Sequence, residues 1–130
     1  MIPRIELPLT IHYSPFTIYG FYSIACARNN DGKLDTDTVM VRARTTEHLQ
    51  NLKDKFPQIA TEIISSKDTD YRYRLVMPKA QWLAILQDIG QEQDWSNFKN
   101  KVHQSEALCG RGYSNSLHEV WDVMHKLQKQ

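Results

Sequence analysis

Four arginines stand at alternate positions in two short runs, Arg42 and Arg44 in VRAR and Arg72 and Arg74 in YRYR. A spacing of two puts each pair on one face of a β-strand, because successive strand side chains point to opposite sides. If both strands share a sheet, four guanidiniums share a surface, with Tyr19 and Phe21 of an earlier aromatic run beside them. Guanidinium is planar, forked and permanently charged. Such a surface suits a phosphate, a carboxylate or, with rings for stacking, a single-stranded nucleic acid. Arg72 and Arg74 are the expected primary anion contacts and Tyr19 the stacking neighbour. The competing reading is a solvated sheet face whose arginines pair with Glu47, Asp68 and Asp70. A third is that a helix or a second subunit covers the aromatic members.

The other reactive side chains make no comparable set. His12, His48, His103, His118 and His125 contain no His-x3-His spacing, and the two cysteines no Cys-x2-Cys. On one helix His118 and His125 would stand roughly 10 Å apart along the axis, too far to share an ion. Polar-surface or capping roles suit these histidines. Cys109 has His103 and His118 nearby in sequence, but nothing marks an oxyanion site beside it. Gly110-Arg111-Gly112 lacks the strand–loop–helix setting and the Gly-Lys-Ser/Thr ending of a phosphate loop. Asp68 with Asp70, and Glu92 with Asp94, read as turn and cap residues. Trp82, Trp95, Phe98 and Trp121 sit at helical spacing and read as core. No catalytic residue, metal ligand or cofactor is expected.

The elements that would carry the arginines follow from periodicity. Phe16–Arg28 is rich in aromatic and β-branched residues, with Phe16, Ile18, Tyr22, Ile24 and Cys26 on one face and Tyr19, Phe21, Ser23 and Ala25 on the other. Asn29-Asn30-Asp31-Gly32 is turn chemistry, and Thr38–Arg44 is the returning strand. Thr45 or Thr46 caps a helix with Leu49, Leu52 and Phe56 on one stripe, which Pro57 interrupts. Ile59, Ile63 and Ile64 fit either a short helix or a strand. Tyr71, Tyr73, Leu75 and Met77 alternate with Arg72, Arg74 and Val76 in a third strand that Pro78 stops. Trp82, Ile85, Leu86 and Ile89 form an amphipathic helical stripe ended by Gly90. Asp94 is placed to cap a short helix bearing Trp95, Phe98 and Val102. Residues 104–115 read as a glycine loop. Ser116 and Glu119 then open a last helix with Leu117, Val120, Trp121, Met124 and Leu127 on one side.

The fold class is α+β: a three-stranded, mainly antiparallel sheet (a hairpin, then a helix and a third strand) packed with four or five helices. The third strand is expected beside the first, in order 2-1-3. The core should hold Ile18, Val41, Leu52, Leu75, Trp82, Ile85, Leu86, Phe98, Val120, Trp121 and Met124. Residues 1–15, with Pro3, Pro8 and Pro15, form an extended arm with a short strand near Leu9–Tyr13; residues 16–130 form one α+β domain. A net charge of +1 leaves any case for a nucleic-acid or membrane partner to a local patch. Two cysteines in unlike surroundings suggest no disulfide framework, and no apolar run reaches transmembrane length, so a cytoplasmic setting is expected.

The succession VRAR…HL, DYRYRLVMP, DWSNFK and LHEVWDVMHKLQ resembles a family of small uncharacterised bacterial proteins. These are similar in a DYxYR-type strand ending in proline, a helix, a D-aromatic-x-NFK segment and a C-terminal helix ending near Leu-Gln. The resemblance spans roughly Phe21 to Gln128 and leaves out the N-terminal arm and the NNDGKLD tip. It implies a shared fold and a bacterial cytosolic setting, and brings no activity, cofactor or catalytic residue. The sequence therefore points to a small binding or adaptor protein that recognises an anionic group or a protein partner through its arginine face. The alternative is a small nucleic-acid-binding protein using the same face; the near-neutral charge favours the first. An exposed sheet edge with an aromatic outer face further suggests a homodimer or an obligate partner.

Overall fold

The structure is a computed structural model, which describes residues 16–129. The expected arm, its strand near Leu9–Tyr13 and His12 lie outside the described residues. In chain order the elements are β1 (Phe16–Thr17), β2 (Gly20–Phe21), β3 (Ser23–Arg28), β4 (Leu34–Ala43), α1 (Thr46–Lys55) and β5 (Ile64–Ser65). Then come β6 (Tyr73–Pro78), α2 (Lys79–Glu92), α3 (Phe98–Gln104), α4 (Glu106–His125) and a terminal 3-10 turn, Lys126–Lys129. Among the described residues the architecture is α+β: a four-stranded antiparallel sheet and a two-stranded ribbon with four α-helices. No helix among the described residues is long and apolar enough to cross a membrane.

The first hairpin forms where turn chemistry demands it. Asn29 Oδ1 accepts from the backbone N–H groups of Asp31 and Lys33, and Gly32 takes φ +78°. A side-chain oxygen that closes its own turn, followed by a residue free to adopt positive φ, reverses the chain between β3 and β4. A register shift between Cys26 and Ala27 adds a bulge, and β4 begins at Leu34, earlier than the expected Thr38.

Two expectations for the strands are corrected. Phe16–Arg28 is not one strand. Thr17 Oγ1 accepts from the N–H groups of Tyr19 and Gly20 and donates to the Gly20 carbonyl, folding Phe16–Phe21 into a tight ribbon of β1 and β2. The period-two assignment therefore fails at Tyr19, which turns into the core at 6% exposure. The sheet order is β3-β4-β6-β5, not 2-1-3, so the third long strand pairs with the second. A further short strand, β5, resolves the ambiguity around Ile64 and pairs with β6.

Helices α1 and α2 bring Leu49, Leu52, Trp82 and Ile85 onto the sheet face that carries Val39, Val41, Ala43, Leu75 and Met77. Burial of such side chains, each contributing about 1.5–3 kcal/mol, is the main stabilising force here. Thr45 caps α1 as expected, accepting from His48 N–H. Pro78 closes β6 and stands directly before α2. Gly90 does not end α2, which runs on to Glu92. The cap of α3 is Asn97, not Asp94, and Trp95 precedes the helix.

The glycine-rich stretch is also helical: α4 starts at Glu106 and kinks at Gly110, where φ is +79°. Ser116 thus lies inside a helix and caps nothing. A second cluster, Val102, Tyr113 and Leu117, packs this corner against Ile18, Phe21, Phe98 and Trp121. The expected core members Val41, Leu52, Leu75, Trp82 and Ile85 are buried, while Ile18, Leu86, Phe98, Val120 and Trp121 are half-buried. Met124 is exposed, because it lies beyond the point where α4 has anything packed beside it among the described residues.

Candidate functional site

Antiparallel register places Arg42 directly across from Arg74, on the sheet face turned away from α1 and α2. Like charges directly opposed repel unless something spreads or neutralises them. Arg42 Nη2 donates to Ser23 Oγ at 2.9 Å, and its guanidinium lies 5.3 Å from the Tyr71 ring centre. Arg44 lies 4.3 Å from the same ring and 3.5 Å from an Asp70 carboxylate oxygen. Arg74 donates to Thr69 Oγ1 and the Tyr71 carbonyl, while its Nε is buried with no hydrogen-bond partner among the described residues. Arg72 sits over Tyr73 at 5.5 Å. All four arginine positions thus lie at one end of β4 and β6, but only Arg42 and Arg44 share the Tyr71 ring; Arg74 reaches the Tyr71 carbonyl, and Arg72 turns to Tyr73 and to Ser65 of β5. Period two puts Tyr71 on the face opposite the arginines; its ring lies with them instead. Asp70 is their one carboxylate partner among the described residues, and it is 80% exposed. An exposed pair of this kind adds little, about 0.2–1 kcal/mol.

Tyr19 does not join them. The reversal at Thr17–Gly20 sends its ring to the far side of the sheet, where its hydroxyl donates to the Glu92 carboxylate at 2.6 Å. Burial first, and the Glu92 carboxylate second, hold the phenol in its neutral form far above the usual tyrosine range. It is a core anchor between β1–β2 and α2.

Beside the arginine cluster opens a cavity of about 680 Å³. Its floor is Phe21, Tyr113, Leu117 and Val120, and its rim is Arg44, Glu47 and His48. Phe21 connects the two features, with its ring 6.3 Å from that of Tyr71. Individual hydrogen bonds tie α4 to the β1–β2 ribbon and to α1 around this groove. Asn51 of α1 donates to the Tyr19 carbonyl at 2.9 Å and the Leu108 carbonyl at 2.8 Å. Further along α4, Tyr113 fixes it to the ribbon through its hydroxyl, which donates to the Thr17 carbonyl at 2.8 Å.

His48 is held in one orientation. Its Nδ1 accepts from Phe21 N–H at 3.3 Å, so the ring proton stays on Nε2. Its carbonyl accepts from the Tyr22 hydroxyl at 2.7 Å, and its ring meets Tyr113 edge-on at 4.9 Å. Burial lowers its pKa against a smaller opposing pull from Glu47, so the imidazole is neutral at pH 7. Cys109 also lines the groove, and burial pushes its thiol up to about 11. It donates to the Ile18 carbonyl at 3.4 Å. A protonated thiol donating to a backbone carbonyl is no nucleophile.

The groove and its lining by Phe21, His48, Tyr113 and Leu117 escaped the sequence reading because their positions span 97 residues of chain. Only the Thr45-x-x-His48 cap hinted that His48 is fixed. No family model, no curated protein and no solved structure matches this chain.

Proposed function

We propose that this protein is a binding module for a small anionic ligand with an apolar body, seated in the groove with its charge at Arg44. The observation that carries this reading is a mostly apolar cavity of about 680 Å³ beside the arginine–Tyr71 cluster, with Arg44, itself on the Tyr71 ring, among the residues that line it. Cavities of this size with few polar groups suit small organic molecules, and the polar groups fix orientation. Arg44 is half exposed, and its contacts to Asp70 and Tyr71 leave guanidinium N–H groups for an incoming carboxylate, sulfonate or phosphate. Arg42, on the same ring, adds positive potential behind it. Glu47 on the rim opposes an anion and sets a limit on affinity.

The nucleic-acid reading is less well supported. It requires ring faces on which bases stack, whereas Tyr19 is buried and Tyr71 already carries two guanidiniums.

The test uses two probes of matching shape and different charge, anilinonaphthalene sulfonate and neutral phenylnaphthylamine, followed by fluorescence. Arg44→Glu should weaken the sulfonate at least about fivefold, near 1 kcal/mol, and leave the neutral probe nearly unchanged. Gly112 lines the groove, and nothing stands within 4 Å of where its side chain would begin. Gly112→Trp should therefore fill the groove and displace both probes. Raising the salt should weaken only the sulfonate. Equal binding of the sulfonate to wild type and Arg44→Glu, or of both probes to Gly112→Trp, would refute the reading.

A further inference from the structure

The corner at Ser105 folds α3 back onto α4 and brings together two histidines that stand fifteen residues apart in sequence. His103 Nε2 and His118 Nε2 are 3.0 Å apart, with ring centres at 5.2 Å. The other nitrogen of His103 is spoken for: Nδ1 lies 3.2 Å from Glu106 Oε1 and 3.2 Å from Ser114 Oγ. An ionised carboxylate only accepts, so Nδ1 carries the ring proton of neutral His103, and its Nε2 presents a lone pair. The lone pair faces His118, which supplies an Nε2–H to it. Ser114 is 1% exposed, so this contact is fixed from inside the fold while both imidazoles stand exposed at the surface.

A metal ion competes for the same two nitrogens. Imidazole nitrogens bound at about 2.0–2.1 Å are about 2.9 Å apart across a right angle and about 3.3 Å apart across a tetrahedral one. The observed 3.0 Å falls between these values. A carboxylate holding the outer nitrogen of a ligating histidine is the usual support of such a ligand, since it sets the tautomer and raises the basicity of the inner nitrogen. We propose that His103 and His118 form a two-imidazole site for a late first-row divalent cation, with Glu106 and Ser114 as positioning residues for His103. Cu²⁺ should bind most tightly, with Ni²⁺ and Zn²⁺ behind it, following ligand type and the usual order of divalent affinities. His103 already has the required tautomer. His118 adopts it when its proton moves from Nε2 to Nδ1 through solvent, so no net proton is released by the neutral pair. Among the described residues no third His, Cys, Asp or Glu completes a ligand set, so the remaining coordination positions open to water or an exogenous donor. The site is separate from the groove, whose lining includes neither histidine.

The structure also provides the readout. The His118 ring lies 5.1 Å from that of Trp121, so Cu²⁺ held there quenches that indole. Titration of the full chain with Cu²⁺ should give saturable quenching at one ion per chain with micromolar affinity. Zn²⁺ in large excess over Cu²⁺ should reverse the quenching, and Zn²⁺ alone should raise the thermal midpoint, because it ties α3 to α4 only in the folded state. Mg²⁺, which prefers oxygen ligands, should do neither. His118→Ala should abolish both effects. Glu106→Gln should weaken binding roughly 10–100-fold without changing the stoichiometry. Trp121→Phe should remove most of the quenching and leave the Zn²⁺-induced shift. Should His118→Ala lower the midpoint without metal, His118→Gln keeps a hydrogen-bonding group opposite His103 and tests the same ligand. Undiminished Cu²⁺ quenching and Zn²⁺ shift in the His118 variants, or no binding by wild type at micromolar metal, would overturn the proposal and leave a hydrogen-bonded histidine pair only.

Discussion

Gly20 is where the local backbone, the groove and α1 depend on a single missing methyl group. Its φ is +150°, a region that L side chains rarely enter, and a Cβ built there would lie 2.4 Å from His48 Cγ and 2.6 Å from His48 Cβ. Forcing alanine into such backbone costs about 1–3 kcal/mol, and overpacking costs a further 1–3 kcal/mol. The sum, about 2–6 kcal/mol, is a large share of the 5–15 kcal/mol typical of a domain. The clash reaches His48 Cβ as well as the ring, so α1 itself must move back from the β1–β2 ribbon. The Phe21 N–H···Nδ1 bond and the Tyr113 contact of His48 are then lost together. In a urea titration the Gly20→Ala midpoint should fall by about 1 M or more at the m-values of small domains. Adding His48→Ala removes the Cγ contact but keeps the Cβ one, so any rescue should be partial. Gly90→Ala is the matched control. It lies inside α2 with nothing within 4 Å of the new methyl, and should gain up to about 1 kcal/mol of helix propensity. A loss below about 1 kcal/mol for Gly20→Ala would refute the reasoning.

Two further outcomes follow from groove residues that titrate. His48 has a folded pKa below its unfolded value, so the unfolded chain binds the proton first as pH falls. Its contribution to stability is complete above about pH 6.5 and is lost as pH drops from there through the folded value. Urea midpoints measured between pH 7.5 and pH 5 should show a decline that flattens in His48→Gln; an identical decline in that variant would place its origin elsewhere. Cys109, with its thiol pushed up to about 11 from 9.0, should hold about a hundredfold less thiolate at pH 8 than an unshifted cysteine. Iodoacetamide labelling mapped by mass spectrometry should therefore leave Cys109 unmodified in native protein and modify it in urea. Rapid native labelling of Cys109 would contradict its placement under Asn51 and against the Ile18 carbonyl.

Much of the fold was legible in the chain because it is locally encoded. Pro78 divides a strand from a helix whatever surrounds it, and Trp82 and Ile85 face the core because a 3.6-residue period admits one apolar stripe. Asn29–Gly32 closes a hairpin with its own side chain and its own positive φ. The alternation in YRYRLVM correctly put Leu75 and Met77 inward and Arg74 outward. What the tertiary structure alone decided was which elements meet. Period two says which face a strand buries but not which strand lies beside it, so the orders 2-1-3 and β3-β4-β6-β5 were equally compatible with the pattern. The turn at Thr17–Gly20 depends on hydroxyl–backbone bonds within a run that otherwise looks like continuous strand, and it alone moved Tyr19 from the arginine face to Glu92. Gly112 argues against helix by about 1 kcal/mol, yet the segment of α4 after the kink forms with Tyr113 and Leu117 buried, while Gly110 keeps a positive φ and makes the kink itself. The groove and the His103–His118 pair are consequences of that helix, so no local pattern could encode them.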